Sequence, residues 1–470
     1  MNLRKCLYIG GTVCGTVLAF VLATGVWQPL AKADGGGQGQ GPTFAVDPFW
    51  PKPLPATVGT DGIAHPWVTG EIGGNCTDKY DNVYTNNRGW EVGVTVDGVL
   101  QGNESGAING QDSAAGIPSP PLVAYNTKGD VVAGFGNPSL IQTGADYGYA
   151  AYMPHGAHGC FVDYQGFVWV AGNGDGIVQK YNPAGAETEG ANATYVLQIG
   201  MKGTCDGTQT TTNPFSSCGE GHSFNSSHTL LNDPADIAVD PAVGPVSGTR
   251  GDIYIADGYG NHRVVVFNYA GQYVGQWGSA CTTNSPSCPP GTFAATGGAH
   301  PHCVVLGNDG LVYVCDRNDS RIQVFSRNCA VQSTTTTPQP VCLPVNIIDI
   351  DNFPTATSGD KNAILAGGSR ACDVDFWPNR DYLATQSPTK PKLMIDVDLS
   401  SDNAWLLDKT GAVFGALGIC GIAPCPGHNA GHFAFGHMVD VDSHNNVYVA
   451  ETTTGRRIQK FVPVSGNNQY

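Results

Sequence analysis

An all-β fold, specifically a six-bladed β-propeller, is what this sequence predicts, and three observations predict it. Glycine and proline are abundant (64 and 31 of 470 residues), only 13% of residues are charged, and no long amphipathic helical pattern runs through the chain. One phrase recurs: an apolar strand, an Asp/Asn/Gly turn, a Val-aromatic-Val strand, an acidic residue, then a strand ending in Phe or Tyr. The phrase appears six times, which implies a radial array, because each small sheet buries its faces only against neighbouring blades.

Four copies are clear: "FVDYQGFVWVAGNGDGIVQKY" (161–181), "IAVDPAVGPVSGTRGDIYIADGYGNHRVVVF" (237–267), "CVVLGNDGLVYVCDRNDSRIQVF" (303–325) and "MVDVDSHNNVYVAETTTGRRIQKF" (438–461). Weaker copies begin near Gly73 and near Arg370. A sandwich of hairpins would use the same strands without a common axis, but regular repeats of about 40 to 50 residues favour the radial arrangement.

The N-terminus is organised differently. Arg4 and Lys5 precede an apolar stretch from Leu7 to Val26, and Ala31 and Ala33 in "LAKAD" give the small-x-small pattern of a cleavage site. Residues 1–33 therefore read as a signal peptide, 34–43 as a Gly-rich linker and 44–470 as the propeller, in a secreted or periplasmic protein. The alternative is an uncleaved anchor, since the stretch is long enough to span a bilayer. Removal of residues 1–33 leaves 20 basic against 39 acidic side chains, a formal charge of −19. Such a surface repels phosphate backbones and anionic lipid, which argues against nucleic acid and, once the signal is cleaved, against membranes as partners.

Fifteen cysteines suit an oxidising compartment. Four pairs sit close together in polar inserts, Cys205/Cys218, Cys281/Cys288, Cys329/Cys342 and Cys420/Cys425, and read as stapled loops. Thirteen cysteines remain after cleavage, so at least one thiol stays free or pairs between chains.

The repeat also gives the histidines a position. His158, His302 and His437 each lie ten residues before a valine of the second strand (Val168, Val312, Val447), so they share one repeat position in blades two, four and six. A histidine at a strand start ordinarily caps backbone groups; three at one register in alternate blades point at one axis. Three neutral imidazoles with a fourth position open describe a catalytic zinc site. Blade three carries Ala235 at the matching point, and His155 falls outside the register as a loop residue.

Strand one leaves the histidine face and strand two returns to it, so the loops after strand two carry its other groups. These hold Arg88, Tyr259 and Arg317. Tyr259 is a candidate base, its phenol expected to be lowered by nearby positive charge. Arg88 and Arg317 are candidate carboxylate clamps, because a guanidinium fork binds two oxygens at once.

The motifs "DGYxNxR" and "DRNxxRIQ", with "DIAVDPAVGPVSGTRGDIYIADGYGNHRVVVFNYAGQYVGQWG" around the first, make the chain resemble the peptidyl-α-hydroxyglycine α-amidating lyase family, a branch of the NHL-type propellers. The resemblance spans most of residues 63–464. It implies zinc on His158, His302 and His437, an active-site tyrosine at Tyr259 and substrate-binding arginines at Arg88 and Arg317. Met438 stands where the family usually has a calcium-binding aspartate, which argues against calcium. Gly260 replaces a family cysteine, so the disulfides must be arranged differently. No copper-monooxygenase half accompanies these motifs, so the substrate need not be a peptide made by such a partner.

The expected activity is therefore an exported zinc lyase that cleaves the N–C bond of a carbinolamide, an α-hydroxyglycine-type small molecule or peptide, to an amide and glyoxylate. Its rivals are a metal-dependent hydrolase of the lactonase type and a non-catalytic NHL propeller that binds a partner.

Overall fold

Side-chain alternation decides how each strand is used. In "VWVA" (168–171), Val168 and Val170 pack into one apolar cluster while Trp169 and Ala171 pack into another on the opposite face of the same sheet. In "VYVC" (312–315), Val312 and Val314 separate from Tyr313 and Cys315 in the same way. Because both faces are buried, the strands read as continuous apolar runs although their period is two.

The computed structural model describes residues 41–464 apart from 59–61, 90–94, 97–98, 101–116, 136–152, 184–193, 207–224, 282–287, 295–299, 330–341, 351–369 and 379–392 and positions 155, 203 and 246. The signal-peptide reading, residues 34–40 of the linker, and His155 lie outside these residues. No helix among the described residues is long and apolar enough to cross a membrane.

Six four-stranded antiparallel sheets form the blades, each running from an inner strand outwards. The inner strands are Ile72–Thr77, Ala157–Val162, Pro234–Val239, Cys303–Leu306, Ala371–Trp377 and Gly436–Val441. Blades one and five thus begin where the weak copies place them. One apolar cluster fills each of the six junctions between neighbouring blades, including the junction of blade six with blade one. The ring closes through the chain's own beginning: Phe44–Val46 pairs antiparallel with Phe461–Pro463 and becomes the outer strand of blade six. The repeat alone does not disclose that closure, because Phe44–Val46 lies outside it.

Five disulfides join described cysteines. Cys281–Cys288, Cys329–Cys342 and Cys420–Cys425 staple inserts as the spacing predicts, and Cys205 is also disulfide-bonded, with Cys218 outside the described residues. Two more are not local inserts. Cys76–Cys160 ties the inner strands of blades one and two, and Cys303–Cys315 ties the first two strands of blade four. Cys372 is a buried free thiol. These bonds fit an oxidising, extracellular type of compartment.

Beyond the histidine register the axis encloses a cavity of about 270 Å³ that opens at the opposite end and is lined by Asn75, Asp236, Asp373, Asp375 and Asp440 among others. Asp236 accepts from Val304 N at 2.9 Å, and Asp373 from Val439 N at 2.9 Å, so each carboxyl links its blade to the next. Burial pushes Asp236 up to about 7, and burial together with the neighbouring charge of Asp236 also pushes Asp373 well above the usual carboxylate range.

Two predictions follow from these contacts. Cys76 and Cys160 close a span of 84 residues, so Cys160→Ser should lower unfolding free energy by about 2–5 kcal/mol, read by denaturant titration, and non-reducing peptide mapping should recover Cys76 linked to Cys160. A carboxyl raised on folding contributes stability that is present below the unfolded pKa and lost as pH rises through the folded one. Asp236→Asn should therefore match the parent near pH 4 and exceed it by about 1–3 kcal/mol at pH 8; equal stability at both values would show that folding does not raise the Asp236 carboxyl.

Candidate metal centre

Each of the three histidines occupies the start of an inner strand, and the blade that follows holds it. His158 Nδ1 donates to Ala235 O at 2.7 Å, His302 Nδ1 to Cys372 O at 2.6 Å, and His437 Nδ1 to Gly73 O at 2.7 Å. A carbonyl only accepts, so Nδ1 carries the proton and the Nε2 lone pair is left facing the axis. Gly73, Ala235 and Cys372 are the odd-blade counterparts of the histidines. The register identified Ala235 as such a counterpart, but its main-chain role is invisible in sequence because any residue carries a carbonyl.

The histidines are buried, with His158 and His302 at 0% exposure and His437 at 4%. Their ring centroids lie 4.5 to 5.0 Å apart, and one ligand atom from each falls within 4.8 Å of the others. Burial is the main reason all three pKa values fall: His437 drops to about 3, and His158 and His302 go well below the usual value. The charges of Arg88 and Arg317 and the mutual repulsion of the rings add to this. Three neutral imidazoles with lone pairs converging in a dry site fit a metal ion.

Tyr259 Oη lies 3.0 Å from His158 Nε2 and 3.3 Å from His302 Nε2, and Arg317 Nη1 donates to it at 3.4 Å. The loop that carries it is held close: a Cβ on Gly258 would fall 1.8 Å from Pro301 O, just before His302. An ion pair closes the base of the same turn, since Asp257 accepts from Arg263 Nε at 2.8 Å and from Asn261 Nδ2 at 2.8 Å. Asp316 and Arg321 repeat the device at 2.9 Å around the turn of Arg317. The repeat's acidic residue and its arginine are thus turn braces, and the residues between them reach the axis.

The structure corrects one expectation. Burial raises the Tyr259 phenol instead of lowering it, although Arg317 and Arg88 pull in the lowering direction. Arg88 is not an open fork: Nη1 pairs with buried Glu71 at 3.1 Å and Nε donates to Ala157 O at 2.9 Å. Glu71 had no signal in the repeat. Met438, beside His437, packs into the apolar junction of blades six and one.

The NHL repeat profile matches residues 246–267 and 299–325, in blades three and four. Over 93 residues, 20% of this chain, the sequence is 37% identical to "Peptidyl-glycine alpha-amidating monooxygenase B" of Xenopus laevis, where the match covers 9% of that protein. It is 36% identical over 93 residues to "Peptidyl-glycine alpha-amidating monooxygenase" of Mus musculus, covering 20% of this chain and 8% of that protein. Over 94 residues it is 34% identical to "Probable peptidyl-alpha-hydroxyglycine alpha-amidating lyase pgal-1" of Caenorhabditis elegans, covering 20% of this chain and 22% of that protein. The chain therefore matches less than a quarter of the length of these relatives. A streptogramin B lyase structure is similar over 90% of this chain and 98% of its own, at 11% identity and a TM-score of 0.42.

His158→Ala, His302→Ala and His437→Ala should each weaken metal binding by at least about 100-fold, beyond the 10- to 100-fold typical of losing an outer-shell partner. Metal analysis of the purified variants checks this, and full occupancy in two of the three would remove the metal centre.

Proposed function

We propose that this chain is a zinc-dependent carbon–nitrogen lyase that converts an α-hydroxyglycine-type carbinolamide into an amide and glyoxylate. The observation that carries the reading is the placement of Tyr259 Oη over the Nε2 atoms of two of three converging neutral imidazoles, with Arg317 beside it. The partial similarity to amidating enzymes supports the same choice. Among the described residues the histidine group contains no carboxylate, which weighs against a lactonase-type site that relies on acidic ligands.

His158, His302 and His437 would hold the zinc. The ion supplies Lewis-acid polarisation of the substrate hydroxyl and a positive charge that offsets the burial cost of a Tyr259 phenolate. Arg317 and the remaining donors of Arg88 bind the substrate carboxylate and orient the carbinol carbon towards Tyr259. Tyr259 Oη takes the hydroxyl proton; the carbon–oxygen bond becomes a carbonyl as the carbon–nitrogen bond breaks. The same proton then passes from Tyr259 to the departing nitrogen, so the reaction consumes no water and releases no net proton.

Tyr259→Phe keeps the ring and its packing but removes the atom that carries the proton. Its kcat for glyoxylate release from an N-acyl-α-hydroxyglycine should fall by about 10²- to 10⁴-fold with metal content unchanged. Near-normal turnover would make Tyr259 a packing residue, and hydrolysis of a lactone without glyoxylate release would favour the hydrolase.

A further inference from the structure

The end of the axis opposite the histidines carries a second concave site. Asp236 and Asp373 directly follow Ala235 and Cys372, whose carbonyls hold His158 and His302. Asn75 stands two residues after Gly73, whose carbonyl holds His437. All three line the cavity of about 270 Å³ and form its floor, just behind the histidine register. The bonds from Val304 N and Val439 N fix the two carboxyls against neighbouring inner strands.

Asn75 supplies an observation of a different kind. It is 4% exposed, its Nδ2 donates to Tyr448 O at 3.3 Å, and its Oδ1 is buried without a hydrogen-bond partner. A buried acceptor left unmade is costly, so this oxygen calls for a donor from the cavity. Asp236 and Asp373 add carboxyls at the same depth, and a cation beside them offsets the burial that raises both. Further along the inner strands the walls turn apolar: Phe161, Val305 and Leu306 line the cavity and stay only partly buried. A calcium ion takes about six to eight oxygens. Among the described residues, no set of three His, Cys, Asp or Glu ligand atoms within 4.8 Å of one another includes Asp236 or Asp373. A charged head with N–H donors and an apolar tail matches this lining better than a bare ion.

We propose that the far cavity binds a small primary alkylammonium, its N–H donors on Asn75 Oδ1, Asp236 and Asp373 and its alkyl chain against Phe161, Val305 and Leu306. The site goes beyond the lyase reading and does not depend on it, since it uses none of the groups assigned to that reaction. The histidines and this floor stand back to back on one axis, so the ligand enters from the opposite mouth.

The test is titration calorimetry of the full chain at pH 8 with n-pentylamine, which is protonated there, and with n-pentanol and calcium chloride. The amine should bind at one site per chain, at least about 10-fold more tightly than the alcohol. Asp236→Asn and Asp373→Asn keep an acceptor for Val304 N and Val439 N but remove a charge. Each should lose about 10-fold for the amine and less than about 2-fold for the alcohol. Should the variants fail to fold, the wild-type preference for amine over alcohol decides alone. No heat with the amine, equal affinity for amine and alcohol, or an amine affinity untouched by both substitutions overturns the site. Calcium chloride that displaces the amine at equal concentration makes the floor a metal site and overturns it equally. The titration is repeated after chelator treatment. Binding that persists keeps the amine in the far cavity; binding lost with the metal places it on the histidines and sinks the proposal.

Discussion

Three hydrogen bonds from an imidazole Nδ1 to the carbonyl of the next blade organise the histidine end of the axis. Each bond fixes the tautomer, so that Nε2 faces inward as an acceptor, and each joins an even blade to the odd blade after it. The alternation has a steric side as well. The odd-blade positions are Gly73, Ala235 and Cys372, all small, and a Cβ on Gly73 would fall 1.9 Å from Ala157 O. Six histidines could not share this ring; three histidines and three small residues can.

The turn braces are the next constraint. Asp257 with Arg263, Asp316 with Arg321, and Glu451 with Arg457 place charges in buried or nearly buried surroundings. Such pairs are stabilising only when their remaining hydrogen-bonding capacity is filled. Here it is: Asn261 and the Asn232 N–H complete Asp257, Gln323 and the Ala294 N–H complete Asp316, and Gln459 and the Ala434 N–H complete Glu451. The braces hold the loops between them at fixed height, which lets Tyr259 and Arg317 meet the histidines although they come from different blades.

Charge is distributed along the axis in a way the total of −16 conceals. The far cavity is lined with aspartates, whereas the histidine end gathers Arg88, Arg317 and Arg370. Neutral imidazoles follow from that asymmetry together with burial, since a protonated ring there would meet both desolvation and arginine charge. Cys76–Cys160 and Cys303–Cys315 reinforce the inner strands that carry His158 and adjoin His302.

By itself the sequence determined the repeat, the six blades and the shared register of His158, His302 and His437, because period-two alternation and fixed spacing are local properties of the chain. It also pointed to Tyr259 and Arg317 as residues of the same face, since strand direction follows from the repeat. Tertiary structure decided what depends on groups distant in sequence. The carbonyl partners of the histidines are main-chain atoms of other blades, and Glu71 reaches Arg88 through a loop contact outside the repeat. The Tyr259 phenol is raised because burial outweighs the arginine charges, and that balance exists only once the blades close. Cys76 meets Cys160 for the same reason: 84 residues apart in the chain, they become neighbours when two inner strands pack around one axis.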